Sequence, residues 1–464
     1  MSRRSDPAAV TTDHLASKLA ASGMQTGEIE SKRRLLDAVI RSFRPFCDGD
    51  PSHAWWIPGR VEAFGKHTDY CGGHSLVGTV PRGFATIARA RGDGVVRMFD
   101  ARRSEELTLR GAGAPALDVR SSYTDVQNLT GWRNYARVVV RRLARNFPGS
   151  PLGADIVFAS DLPSASGMSS SSALMIGLAA TLSTLADIRN RPEWRDNVRN
   201  LPEEAGYYAC IENGLSFGTL AGDSGVGTHG GSEDHLAIIC GLPAQLSAWT
   251  FVPIDHVDTV HVPASWTFVV ASSGVAADKT GNAKEAYNRL SREAETLLAV
   301  WNRNEPPARS LQAALRSDES AAARMRDLLS RAELGAATVP TLERRLAHFL
   351  REDARVCEAM RAFRDGDRAR LSALSEASQA DAEILLRNQV PETAALARSA
   401  RELGAFASSS FGAGFGGSVW ALVEADEAAG FADRWLARHR AAFPSRSAAT
   451  AFVAQPGPAL TRLA

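Results

Sequence analysis

Asp161-Leu-Pro-Ser-Ala-Ser-Gly-Met-Ser-Ser-Ser-Ser-Ala173 joins a strand-like run to a helical one through a loop of small residues. The run before it, ADIVFASDLP, reads as a strand that breaks at Pro163, because proline cannot donate to a ladder. Residues 174–185 then read as a buried helix rich in small side chains. A glycine and serine loop at a helix N-terminus offers unpaired backbone N–H groups, hydroxyl donors and a positive dipole end. Those features suit a triphosphate and its magnesium ion. A single serine is explained as an N-cap. Four in a row, Ser169 to Ser172, exceed that need.

Outward from this loop, helices and strands mix without strict alternation. Residues 12–46 carry Leu15, Leu19, Leu35, Leu36, Val39 and Ile40 at roughly helical spacing. Residues 54–99 hold short β-like runs, AWWIPGRVEAFG, SLVGTV, GFATIARA and VVRMFD. Helices are expected from Trp132 onward and over 203–213, 282–301, 310–333, 341–363, 367–387 and 428–443. AQLSAWTFVPI, WTFVVASSG and GFGGSVWALVEA read as strands. This pattern favours an α+β architecture over a doubly wound sheet. A chain of 464 residues exceeds what one core usually supports, so two domains are expected, 1–255 and 256–464.

Three further loops can carry chemistry. Pro58-Gly-Arg-Val-Glu-Ala-Phe-Gly-Lys-His-Thr-Asp-Tyr-Cys-Gly-Gly73 gathers Arg60, Lys66, His67 and Asp69 between glycines. Asp69 can accept hydrogen bonds from hydroxyls and Arg60 can steady negative charge; a solvated polar turn is the alternative. Around His67 no second His or carboxylate stands at helical ligand spacing, so a metal site there is not indicated. Gly230-Gly-Ser-Glu-Asp-His235 places Glu233 and Asp234 after a glycine run, where a carboxylate can act as base or merely turn the chain. Phe411-Gly-Ala-Gly-Phe-Gly-Gly-Ser418 contains G-x-G-x-x-G, but a strand-like run follows it. A dinucleotide site requires a helix there. Its glycines allow close backbone approach to a ligand or loop, or form a plain turn. Gly214-Leu-Ser-Phe-Gly218 matches the hydrolase pattern G-x-S-x-G, yet it follows a helix and runs into more glycine, against the required strand-turn-helix setting.

Composition narrows the classes. Hydrophobic residues make up 44% and charged residues 23%, as in ordinary globular proteins. A formal net charge of +1 gives no broad field for nucleic acid or an anionic membrane. Five scattered cysteines without a C-x-x-C pair suggest neither a disulfide framework nor a cysteine zinc site. Neither a secretory signal nor a membrane span is read, so a cytoplasmic location is expected.

The loops together resemble the galactose, homoserine, mevalonate and phosphomevalonate (GHMP) kinase superfamily, and within it the galactokinases. GRVEAFGKHTDY is similar to their sugar signature G-R-x-N-x-I-G-E-H-x-D-Y. SASGMSSSSAL resembles the superfamily's phosphate loop, SSSFGAGFGGS its glycine-rich C-terminal motif, and GWRNY the W-x-N-Y segment near the adenine pocket. The matches run in the family's order over 59–418.

The resemblance implies a two-domain α+β GHMP kinase fold with the active site between the domains. It implies ATP and Mg2+ as cofactors and transfer of the γ-phosphoryl group to a monosaccharide hydroxyl. By it, Asp234 and Arg60 form the catalytic pair, the Asp as base or orienter and the Arg lowering its pKa. Ser171 and Glu212 fall at magnesium-ligand positions, although Glu212 precedes Asp234 by a longer gap than the family shows. Lys66, His67, Asp69, Gly231 and Tyr287 fall at sugar-contacting positions. Trp132, Ser166, Gly167, Ser169, Ser170, Ser171, Ser172, Gly414 and Gly416 fall at nucleotide-binding ones.

Two departures from the signature matter: Lys66 stands for Glu, and Glu62 for Asn. At position 66 an acceptor becomes a donor. That predicts a substrate other than simply galactose, one able to carry a carboxylate or other acceptor near Lys66. An arabinose or uronic-acid kinase and a non-catalytic sugar and ATP sensor are the alternatives; the retained Arg60, Asp234 and serines weigh against the sensor.

Overall fold

Strand β1 (His53–Phe64) is buried over almost its whole length, so its run of apolar residues faces cover on both sides. Its place is explained by what covers it. On one side, Trp56 packs with Leu36, Val39 and Phe43 of the helix Thr26–Phe46, together with Ile87 and Val157. On the other, Trp55 and Ile57 join Ile156, Phe158 and the helices Trp132–Asn146 and Ser170–Leu185. Each such large apolar side chain contributes roughly 1.5–3 kcal/mol when fully buried. The computed structural model describes residues 10–47, 49–110, 129, 131–163, 166–277, 283–335 and 338–464.

The first sheet has the order β12-β1-β2-β5-β3-β4, with β6 and β7 continuing from one half of β2. Here β2 is His74–Ala90, β3 Val95–Asp100, β4 Glu105–Arg110 and β5 Ala154–Ser160. β6 is Gln245–Thr250, β7 Asp255–His261 and β12 Thr461–Arg462. Among the described residues of this sheet, only β3 and β5 pair in parallel. The runs SLVGTV and GFATIARA form one long strand, because Pro81 and Gly83 fall where β2 passes from β6 to β5 as a neighbour. β7 pairs with β6, so this sheet extends through His261, and the division expected at 255 coincides with the start of β7. The sheet also takes back the C-terminal strand.

The second sheet, β11-β8-β10-β9, is antiparallel: β8 is Trp266–Ser272, β9 Ala407–Phe411, β10 Ser418–Glu424 and β11 Thr450–Val453. Alternation divides its faces. Val269, Ala271, Val419 and Ala421 meet Leu396, Phe431 and Trp435 from the helices Pro391–Glu402 and Ala428–Ala442. Phe268, Trp420 and Leu422 instead join the main core. The helix Val339–Asp365 packs on β1, β2 and β7 and meets Phe268 of β8 through Phe363, Arg368–Asp381 packs on β9, and Ala283–Asn304 packs on Val339–Asp365. The expected 12–46 helix is broken into Thr12–Ala21 and Thr26–Phe46 at Gly23. The 310–333 helix is broken into Leu311–Leu315 and Ala321–Arg331. This α+β architecture matches the expectation, and no described helix is long and apolar enough to cross a membrane.

Candidate active site

Arg60 is aimed by a defect in its strand. The register of β1 against β2 shifts between Pro58 and Arg60, a bulge that re-aims the side chain. Gly59 permits the next step: a Cβ there would lie 2.8 Å from the carbonyl oxygen of Met168, so only glycine lets the serine loop close on β1. Arg60 N donates to that same carbonyl at 3.3 Å. The buried guanidinium then donates through Nε to Asp234 Oδ1 at 2.7 Å and through Nη1 to the Gly167 carbonyl at 2.5 Å. Burial opposes its charge, but Asp234 and Glu233 hold its proton more firmly than usual.

Asp234 belongs not to an open loop but to the first turn of the helix Glu233–Cys240, where the macrodipole favours a negative side chain. Beside it, Glu233 accepts from Ser75 Oγ at 2.8 Å. Burial, together with Glu62 and Asp69, pushes the Glu233 carboxyl well up.

The turn after β1 supplies the next wall. Thr68 Oγ1 lies 2.6 Å from the carbonyl oxygens of both Gly65 and His74, tying the turn across its base. His67 stands at φ 58°, a left-handed conformation that costs a non-glycine residue about 1–3 kcal/mol. It is held there by Tyr70, whose hydroxyl lies 2.8 Å from Nδ1, by the Ala413 carbonyl 3.1 Å from Nε2, and by Arg345, which donates to the His67 carbonyl at 2.7 Å. Asp69 Oδ2 accepts from Glu233 N at 3.3 Å, and a Cβ on Gly231 would stand 2.2 Å from that oxygen. Glycine at 231 is therefore a spatial requirement of Asp69. Tyr287 closes the cavity, its ring 5.6 Å from that of His67. Arg60, Glu62, His67, Asp69, Glu212, Asp234 and Tyr287 thus line one polar cavity, closed on one side by Gly412 and Ala413 of the glycine loop.

Lys66 is not in that cavity. Its Nζ donates to Ser378 Oγ at 2.6 Å and Ser409 Oγ at 2.9 Å and lies 3.9 Å from Glu352 Oε1. Glu352 in turn accepts from Gly65 N at 3.1 Å and Arg355 at 3.0 Å. The assignment of Lys66 as a substrate contact is corrected accordingly. Its charge is satisfied inside the protein, where it fastens the helices Val339–Asp365 and Arg368–Asp381 and strand β9 to the sugar-signature turn. The carboxylate-bearing substrate inferred from Lys66 loses its basis. Lys66→Met is expected to lower unfolding free energy on the order of 3 kcal/mol, as for one partner of a buried ion pair. Urea denaturation reads that loss. The KM for the acceptor should stay within about threefold, since no substrate contact is removed.

A larger cavity, of about 930 Å³, adjoins the serine loop. Trp132, Gly167, Ser169, Ser170 and Ser171 line it. Trp132 is fixed by its Nε1 donating to Glu105 Oε2 at 2.8 Å and by an edge contact with Phe158 at 5.2 Å. Ser169 caps the helix Ser170–Leu185 in position only: it is left-handed, and its side chain makes no capping bond. Its buried Oγ has no hydrogen-bond partner among the described residues. The capping explanation therefore fails for this serine, and a donor stands available for a phosphate oxygen. Ser166 is structural instead, its Oγ donating to the Pro163 carbonyl and its own carbonyl accepting from Ser418 Oγ at 2.6 Å. Ser164 and Ala165 lie outside the described residues.

Gly414 and Gly416 line neither cavity. A Cβ on Gly414 would meet the Asn388 carbonyl at 2.4 Å, and one on Gly416 the Val275 carbonyl at 2.7 Å. These two glycines let the loop pack on neighbouring backbone. Gly412, whose Cβ would lie 2.8 Å from the Gly167 carbonyl, and Gly417, whose Cβ would lie 3.3 Å from the Ser166 carbonyl, meet the serine loop.

Ser171 lines the larger cavity, whereas Ser172 lines the first one and faces its acids. Its Oγ donates to Glu212 Oε2 at 2.8 Å and lies 3.4 Å from Asp234 Oδ2. Glu212 reaches this point despite the long gap to Asp234 because the intervening loop folds back on itself. Val226 N donates to the Glu212 carbonyl at 2.9 Å, and Asn213 Nδ2 to the Gly230 carbonyl at 3.1 Å. Ser216 lies within that loop, 2.9 Å from Gly222 N, so the hydrolase elbow is absent there. Two carboxylates around one hydroxyl form an all-oxygen set that fits magnesium, which takes one or two carboxylates plus phosphate and water oxygens. His, Cys, Asp and Glu alone form no group of three or more of this kind among the described residues.

Arg345 and Glu352, on the helix Val339–Asp365, and Asn388, in the segment before the helix Pro391–Glu402, support the site without a motif of their own and are placed by tertiary packing. Lys32, Arg82, Arg102 and Arg103 on the larger cavity carried no sequence signal either.

The fold and the two-part site define a small-molecule kinase of the GHMP type. Three family models match: GHMP kinases N terminal domain over residues 134–207, GHMP kinases C terminal over 359–441, and the galactokinase galactose-binding signature over 41–90. A galactokinase of Chloroflexus aurantiacus is 30% identical over 407 residues, covering 85% of this chain and 90% of that one. One of Roseiflexus is 28% identical over 379 residues, covering 79% and 82%. Among solved structures, Lactococcus lactis galactokinase in complex with galactose superposes with a TM-score of 0.72 at 22% identity, covering 92% of this chain and 99% of that one. Methanococcus jannaschii mevalonate kinase does so at 0.52 and 13% identity, covering 87% and 98%. The chain belongs to the galactokinase family.

Proposed function

We propose that this sugar kinase uses Asp234 and Arg60 to transfer the γ-phosphoryl group of ATP to a hydroxyl of a neutral monosaccharide held in the acidic cavity. The observation that carries the reading is the Arg60–Asp234 pair, 2.7 Å apart at the junction of that cavity with the serine loop. Asp234 takes the acceptor hydroxyl's proton or orients it for in-line attack. Arg60 fixes that carboxylate and, through its contact with the Gly167 carbonyl, fixes the loop against it. His67, Asp69 and Tyr287 position the sugar. Ser169, Ser170 and Ser171, with the N-terminus of their helix, hold the phosphates, and Trp132 packs the adenine side. Glu212 and Ser172 would hold magnesium, which when bound neutralises charge on the phosphate oxygens.

All five cysteines are free, which suits a reducing, cytoplasmic setting for an ATP-consuming enzyme. Glu212→Gln is expected to raise the magnesium concentration for half-maximal rate by about tenfold while sparing sugar affinity; a magnesium titration at fixed total ATP checks it. The reading as a whole is tested by ADP release across neutral sugars, amino sugars and uronic acids. Rates confined to uronic acids would refute it.

A further inference from the structure

One wall of the sugar cavity carries a carboxylate that the phosphoryl-transfer machinery does not use. Glu62 lies two residues beyond Arg60 on β1, in a stretch of regular register, so both side chains leave the same face of the strand. It is 2% exposed and lines the cavity together with His67, Asp69 and Asp234. Its Oε2 accepts from the backbone N–H of Gly412 at 3.0 Å. Its Oε1 is fully buried and has no hydrogen-bond partner among the described residues. Buried acceptors of this kind are rarely left unpaired in native proteins, and a carboxylate oxygen least of all. Burial also pushes the Glu62 carboxyl up against the opposing pull of Arg60 and Lys66, so the protein alone does not compensate its charge.

We infer that Glu62 is a specificity-determining contact of the acceptor pocket, its Oε1 receiving a hydrogen bond from a sugar hydroxyl. This rests on the reading of the cavity as the sugar site. The chemical class follows from the walls. Glu62, Asp69, Glu233 and Asp234 present acceptors, and the single guanidinium among them, Arg60, is already engaged by Asp234. Such a cavity favours hydroxyl donors, hence neutral polyhydroxyl sugars. A substrate carboxylate would be crowded by these four carboxyl groups.

The test uses the full chain with D-galactose and its monodeoxy analogues, reading Kd by calorimetry and KM and kcat by ADP release. Glu62→Met, which removes both acceptor oxygens at similar volume, is expected to raise Kd and KM for galactose about tenfold with kcat changed less than about threefold. Glu62→Gln, which keeps the shape and one carbonyl acceptor, should restore most of that loss. At one ring position, removing the hydroxyl should weaken binding to the wild type but not weaken Glu62→Met further, the signature of a coupled pair. Folded Glu62→Met and Glu62→Gln proteins that bind galactose and every deoxy analogue as the wild type does would overturn the inference. Asp69→Asn separates the two levels. If it weakens galactose binding while the Glu62 variants do not, the Glu62 contact alone is wrong. If it too has no effect, the cavity is not the sugar site, and both readings fall. Should Glu62→Met not fold, the deoxy series on Glu62→Gln decides, because an uncharged acceptor should lower the penalty of the missing hydroxyl at one ring position; an unchanged penalty at every position overturns the inference.

Discussion

Asp234→Asn is expected to lower kcat by about 10²–10⁴-fold, the usual contribution of a positioned acid or base, while leaving the affinities for sugar and ATP within a few-fold. Asparagine keeps the side-chain size, and its carbonyl can still accept from Arg60 Nε, the bond that measures 2.7 Å in the wild type. It cannot take up the proton of the attacking hydroxyl. The helix that carries it begins at Glu233, and its N-terminal turn accepts a neutral amide as readily as other polar residues. Folding should therefore persist, and steady-state kinetics with calorimetry on the same sample separate chemistry from binding. A kcat within threefold of the wild type would remove Asp234 from the proton-transfer role.

Arg60→Met should have the largest effect on stability, on the order of 3–5 kcal/mol, the range for leaving a buried charge without its partner. The guanidinium faces Asp234 at 2.7 Å and Glu233 at 3.7 Å, and both carboxylates would remain in place when it is gone. The sign of the pH dependence follows. Loss of Arg60 raises the folded-state pKa values of these carboxyls, so the variant binds more protons when folded than when unfolded. Its deficit should therefore shrink as pH falls and grow as pH rises. Urea unfolding at several pH values reads this directly. Adding Glu233→Gln to Arg60→Met should recover part of the loss by removing one unpaired charge. A deficit independent of pH, with no recovery in the double variant, would mean that Arg60 acts through packing on Phe411 alone, whose ring lies 5.7 Å from its guanidinium carbon.

Much of the fold was legible because its elements carry strong local signals. Strand β1 announces itself by apolar residues ending in glycine, and the serine loop by small residues between a strand and a helix. Strands β4, β7 and β9 are less visible: β7 reads DHVDTVH, exposed over much of its length, and exists because β6 offers it an edge. Within the site, His67, Asp69 and Gly231, each carried by a short loop, line the same cavity. The direction of other side chains depends on tertiary packing. Lys66 sits in the sugar signature yet turns toward Ser378, Ser409 and Glu352, more than 280 positions further along the chain, and no local pattern reports that. Ser171 and Ser172 differ by about 100° around a helix, so the choice of which one meets Glu212 rests on how the loop seats the first turn. Gly414 and Gly416 look like ligand-contacting glycines, but their positive φ angles serve packing on Asn388 and Val275.

Whether an Asp234-dependent centre moves phosphate from ATP to a neutral sugar is read by 31P NMR of the wild type and Asp234→Asn with ATP, magnesium and galactose. A new sugar-phosphate resonance should grow in equal measure with ADP in the wild type and be lost in the variant. Formation of ADP with inorganic phosphate alone, or the same sugar-phosphate yield from both proteins at matched times, would contradict it.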